Sequence, residues 1–105
     1  MDLAFRALAD PRRREIVRLV WADELASTAI ASHFTDISRP AVSQHLGVLR
    51  NAGLLHERRE GTRRLYCANH VAIQSLRDYL DGYWADSLGS LRDLVEKSAP
   101  KPRRQ

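Results

Sequence analysis

Ser38-Arg-Pro-Ala-Val-Ser-Gln-His-Leu-Gly-Val-Leu-Arg-Asn-Ala-Gly-Leu-Leu55 decides the fold. Ser38 is an N-cap residue, Pro40 suits the first turn, and Gly53 stops the chain just past Ala52, so the spacing predicts a helix over 38–52. Val42, Leu46 and Leu49, four and three apart, form its core stripe. Pro40, Ser43, Gln44, Gly47 and Asn51 point away from that stripe, with Arg39 and Arg50 flanking them. Such a face fits the major groove of DNA, and the short side chains at Ser43 and Gly47 let the helix lie deep in it. Gln44 can pair bidentately with adenine, Ser43 can bond a base or a phosphate, and Arg39 and Arg50 can read guanine or clamp phosphate.

Upstream, 3–9 reads as a short apolar helix ending near Asp10-Pro11, because the residue before proline disfavours helical backbone. Asp10 can cap a second helix whose inward residues are Ile16, Val17, Leu19 and Val20. A third helix is expected over 25–34, burying Leu25, Ile30, Ala31 and Phe34. Downstream, extended runs over 54–59 and 63–68 are joined by the three-residue loop Glu60-Gly61-Thr62, a hairpin signal. The longest helix, 71–97, carries an apolar stripe of Ile73, Leu76, Leu80, Tyr83, Trp84, Leu88, Leu91, Leu94 and Val95. That stripe is too wide for one face of so small a domain and predicts a partner. The expected fold class is therefore mainly α with a small β-hairpin (α+β). It is a winged helix-turn-helix of five helices plus a two-stranded wing, one domain over 1–97, followed by a disordered basic tail over 98–105.

Charge agrees with this arrangement. The 105-residue chain carries a formal net charge of +4, and the stretch 37–66 alone sets Arg39, Arg50, Arg58, Arg59, Arg63 and Arg64 against only Glu57 and Glu60. Its surplus equals that of the whole chain, and the hairpin arginines are placed to reach phosphate or the minor groove. A lone cysteine, Cys67, read as a small buried hydrophobe, excludes an intrachain disulfide and a cysteine-rich zinc module. The absence of a signal pattern or long apolar run places the chain in the cytoplasm, away from membranes. Catalysis is excluded because Ser43 and His45, two apart on a helix, diverge, and no phosphate loop or acid pair is visible. A winged-helix module that binds protein is the alternative. It predicts an apolar or acidic outer face on the 38–52 helix, whereas the face is polar and flanked by arginines.

The quoted run, followed by Arg58-Arg-Glu-Gly-Thr-Arg-Arg-Leu-Tyr66, resembles the recognition helix and wing of the ArsR-type repressors. Ala7-Leu-Ala-Asp-Pro-Arg-Arg-Arg14 also matches, and the resemblance runs over 3–95. It implies a homodimer joined by the first and last helices, repressing a promoter by binding double-stranded DNA at an inverted repeat. That places Leu3, Phe5, Leu8, Leu76, Leu80, Tyr83, Trp84, Leu88 and Leu91 at the dimer interface. It places Ser38, Arg39, Pro40, Ser43, Gln44, His45, Arg50, Arg58, Arg59, Arg63 and Arg64 at the DNA, with His45 as a backbone contact or an orienting residue. The chain departs from the family pattern twice: the turn before Ser38 is one residue longer, and Gly47 replaces a commonly basic residue. The family's Glu-Leu-Cys-x-Cys-Asp-Leu metal box corresponds here to Glu24-Leu-Ala-Ser-Thr-Ala-Ile30, with Ala26 and Thr28 at the thiolate positions. Neither can ligate a soft metal, and 71–97 holds no histidine, so no metal and no cofactor are expected. Trp21, Tyr79, Tyr83 and Trp84 are assigned to packing rather than to an organic-ligand pocket, and any effector is left unassigned.

Overall fold

Residues 2–98 are described by a computed structural model. Five helices and three strands follow one another as α1 (Asp2–Leu8), α2 (Pro11–Leu19), β1 (Leu25–Ala26), α3 (Ser27–His33), α4 (Arg39–Asn51), β2 (Leu55–Glu60), β3 (Arg63–Ala68) and α5 (His70–Ser98). Each boundary has a chemical cause. Asp10 accepts the Arg12 N–H at 2.7 Å and so caps α2, while Ser38 Oγ accepts the Ala41 N–H at 3.2 Å and caps α4. At the far end of α4, Gly53 takes a φ of 78°. Its N–H then donates to the Arg50 carbonyl, and the Leu54 N–H donates to the Leu49 carbonyl. This paired closure needs a left-handed residue at the glycine position.

The wing differs from expectation by one residue. Glu60 pairs with Arg63, so the loop is the two residues Gly61-Thr62, with Gly61 at a φ of 63°. A two-residue hairpin turns this way because its twist matches that of the strands, and glycine takes the positive φ without strain. A third strand joins the pair: β1 runs antiparallel to β3, giving the sheet order β1-β3-β2. The helix expected from Leu25 therefore starts at Ser27, because Leu25 and Ala26 spend their backbone groups on Tyr66 and Leu65. Asn69 ties the sheet's exit to α4's. Its side-chain amide donates to the Gly53 carbonyl at 2.9 Å, and its carbonyl oxygen accepts the Ala72 N–H at 3.2 Å, capping α5 from His70 rather than Val71.

The chain divides into two compact units, Met1–Gln74 and Ser75–Gln105. The first holds a core of Ala4, Ala7, Ile16, Val17, Val20, Ala26, Ile30, Val42, Leu46, Leu49, Leu54, Leu55, Leu65 and Tyr66. The α4 stripe is thus buried as read, and Leu25, Ala31 and Phe34 are half-buried. Cys67, expected to be buried, is only half-buried, because it projects from the opposite sheet face to Tyr66 and pairs with exposed His56. In the second unit α5 continues as a helix with Arg77–Asp81 and Arg92–Glu96 pairs one turn apart. Its apolar stripe is open to solvent: Tyr83, Trp84, Leu88 and Leu91 are each 54–57% exposed. Leu76, expected at a dimer interface, is the exception, being buried already in the single chain. Ser98, expected in the tail, is the last residue of α5; the rest of the 98–105 stretch lies outside the described residues. No helix among the described residues is long and apolar enough to cross a membrane.

Candidate nucleic-acid interface

Burying Val42, Leu46 and Leu49 fixes the rotation of α4, and that rotation presents Arg39, Pro40, Ser43, Gln44 and Asn51 to solvent. Ser38 spends its hydroxyl acceptor on the cap, and its backbone carbonyl accepts the Val42 N–H. Arg39 and Ser43 border an open cleft of about 170 Å³ whose other walls are Ser27, Thr28 and Ala31 of α3 and Val42 of α4. Arg39 has no carboxylate partner among the described residues. Hydrogen-bonding side chains and an unneutralised guanidinium thus share the exposed N-terminal half of α4, the part of a recognition helix that meets base edges.

His45 is turned differently. Half-buried, it places Nδ1 3.3 Å from an Arg13 guanidinium nitrogen, and since arginine only donates, Nδ1 accepts and the ring proton sits on Nε2. Arg13 also donates to the Ala7 and Arg6 carbonyls at 2.6 and 3.1 Å and lies 3.8 Å from Asp10. It therefore closes the C-terminus of α1 while holding α4. Of the two roles left open for His45, this geometry favours orientation. Two other histidines have structural surroundings. His33 meets Glu15 at 2.9 Å, and His70 lies 2.6 Å from the Trp21 carbonyl with its ring against the Trp21 ring.

The six arginines do not present equal charge. Arg50 donates to both Glu57 carboxylate oxygens at 3.3 and 3.2 Å, and the buried Tyr66 hydroxyl donates to the same carboxylate at 2.5 Å. Hydrogen bonding from Tyr66, together with the Arg50 and Arg64 charges, outweighs desolvation and holds the Glu57 carboxyl below its ordinary range. Arg58 forks onto Glu24 at 2.8 and 2.7 Å and also meets Glu60 at 3.2 Å. That fork is bidentate and pulls the Glu24 carboxyl down. Arg59 and Arg63 are exposed with no carboxylate partner among the described residues. Register sets which groups share a face: Glu57↔Tyr66 and Arg59↔Arg64 lie on one face of the hairpin, and Arg58↔Leu65 and Glu60↔Arg63 on the other. Sequence reasoning counted Glu57 only as a charge offset and missed it, along with Arg13, Glu24 and Tyr66. Pairing through a two-residue loop would have set Glu57 opposite Tyr66.

An exposed polar recognition helix, a preceding helix packed across it and an arginine-tipped hairpin define a winged helix-turn-helix module. Comparison with known proteins agrees. A family described as a helix-turn-helix domain matches residues 8–58. An HTH-type transcriptional regulator of Mycobacterium tuberculosis is 41% identical over 95 residues, covering 90% of this chain and 88% of that protein. The transcriptional repressor SdpR of Bacillus subtilis is 35% identical over 74 residues, covering 70% and 81%. A solved homodimeric winged helix-turn-helix DNA-binding domain from Mycobacterium bovis, described as a possible ArsR-family regulator, superposes with a TM-score of 0.64. It is 31% identical, with 83% of this chain and 80% of that one covered. The chain belongs to the ArsR-type family of winged helix-turn-helix transcriptional regulators.

Proposed function

We propose that the protein is a homodimeric, cytoplasmic transcriptional repressor that covers an inverted repeat in double-stranded DNA. The observation that carries this reading is the outer face of α4, where exposed Ser43 and Gln44 stand beside an unpaired Arg39 over a fully apolar inner stripe. Gln44 and Ser43 meet base edges, and Arg39 meets phosphate. Arg59 and Arg63 on the wing follow the adjacent backbone or minor groove, while Arg64 stays beside the Glu57–Tyr66 pair. Arg58 steadies the wing root through Glu24, and His45 holds the helix through Arg13. The second copy is recruited by α5. A solvated stripe that includes Leu80, Tyr83, Trp84, Leu88 and Leu91 is an apolar surface that a lone small domain rarely leaves open, and a partner copy covers it. From α1, exposed Leu3 and half-buried Phe5 and Leu8 are assigned to the dimer contact as well. Binding-site selection from random duplex DNA tests the reading. Recovery of an inverted repeat with half-sites one helical turn or a multiple apart supports it, and recovery of no site or of an asymmetric single site contradicts it.

A further inference from the structure

We propose that Glu57 is a specificity-determining residue: by holding Arg50 in an ion pair at the junction of α4 and the wing, it withholds that arginine from phosphate. The proposal rests on the DNA-binding reading above. Arg50 stands in the last turn of the recognition helix, on the side of the outward face, where an unpaired guanidinium would contact the backbone of any duplex. Glu57 is not a loose surface acid. Its side chain is only 20% exposed, it lies on a strand paired residue for residue with β3, and the buried Tyr66 hydroxyl fixes its carboxylate from the other side. The carboxylate is therefore ionised and pre-placed, so Arg50 keeps a partner without the ordering cost that a flexible surface pair meets.

Withholding a sequence-independent contact improves discrimination. A phosphate contact strengthens random and specific DNA alike, whereas base contacts at the N-terminal half of α4 strengthen only the specific site. The same pair ties the end of α4 to the wing root, so the two DNA-facing elements keep one relative setting. On the selected site that setting is used; on random DNA it confers nothing. Loss of Glu57 thus has opposite consequences on the two DNAs. Random DNA gains Arg50 as a phosphate contact, and the selected site loses part of its alignment.

The test is fluorescence-anisotropy titration of wild type, Glu57→Gln, Arg50→Gln and the double variant on the selected site and on random duplex at several salt concentrations. Each added phosphate contact steepens the log–log salt slope by about 0.9, and the homodimer gains two, so the slope steepens by about 1.8 and affinity near physiological salt rises roughly thirtyfold. Glu57→Gln should therefore bind random DNA about thirtyfold more tightly with a steeper slope, while the selected site gains at least about fivefold less. Adding Arg50→Gln should reverse most of that gain, a rescue that a merely structural role for Glu57 would not show. Arg50→Gln alone, an exposed change that does not depend on Glu57→Gln folding, should leave the random-DNA slope within about 0.3 of wild type. A drop of about 1.8 in that single variant would mean Arg50 already reaches phosphate, and would overturn the proposal alone. An unchanged random-DNA affinity in folded Glu57→Gln would overturn it as well. A wild-type protein that binds neither DNA would overturn the DNA-binding reading together with it.

Discussion

Arg63 and Arg58 lie on the same face of the wing, yet replacing each by alanine should have unequal effects. Arg63 has no carboxylate partner among the described residues, whereas Arg58 is forked onto Glu24 and meets Glu60. In each protomer the unpaired set is Arg39, Arg59 and Arg63, so a homodimer commits about six such guanidinium groups to phosphate. Counterion release then gives a log–log salt slope near −5, and roughly a thousandfold loss of affinity from about 50 to about 200 mM salt. If all six interface arginines of each protomer contributed, the slope would approach about −11. Arg63→Ala removes two contacts per dimer and should flatten the slope by about 1.8 on selected and random DNA alike, leaving the ratio of the two affinities intact. Arg58→Ala should flatten it by less than about 0.5, with little effect on stability because the pair is exposed. Anisotropy titrations at five salt concentrations provide both slopes. Equal flattening by the two variants would refute the division of the wing into paired and unpaired cations.

Leu88→Glu places a charge in the exposed apolar stripe of α5 and should shift the protein from dimer to monomer in sedimentation at micromolar concentration while weakening the selected site; a wild-type monomer that binds that site tightly would contradict this. With Ala26 and Thr28 where a metal box would carry thiolates, zinc, cadmium, nickel or arsenite should change affinity for the selected site by less than about threefold, under 1 kcal/mol, and stoichiometric release of DNA by any of them would refute it. Because the Glu57 carboxyl is held below its ordinary value of 4.5, its stabilising contribution is fully present above that pH and is lost as pH falls through the lowered value. Thermal melts should therefore show Glu57→Gln less stable than wild type by about 1 kcal/mol at neutral pH, the gap closing on acidification below the ordinary carboxylate range; a gap that widened there would reverse the assigned sign.

The elements that could be read in the sequence are those with strong local chemistry. Ser38, Pro40 and Gly53 punctuate α4 so firmly that the stripe at Val42, Leu46 and Leu49 and the outward face opposite it follow directly. The two-residue strand β1 was hidden because Leu25 and Ala26 are too short a run to display a period, and their strand identity comes from backbone pairing with β3, about 40 residues away in sequence. The ion pairs were hidden by the one-residue error in the wing loop. Since side chains alternate along a strand, counting Glu60 as loop moves Glu57 from opposite Tyr66 to opposite Leu65 and dissolves the Arg50–Glu57–Tyr66 cluster. Arg13 was invisible for another reason: its partners are backbone carbonyls and a histidine on a distant helix, none of which leaves a spacing pattern.

The central claim is that α4 reads bases, and Gln44→Ala tests it most directly because the side chain is exposed, caps nothing and supports no core residue. Affinities of wild type and variant are measured on the selected inverted repeat and on random duplex at one salt concentration. A lost bidentate contact should cost about 1–3 kcal/mol in each half-site of the selected sequence and little on random DNA, so the specificity ratio should fall at least thirtyfold or so while non-specific binding persists. Equal losses on the two DNAs, or no loss on either, would contradict the placement of α4 in the major groove.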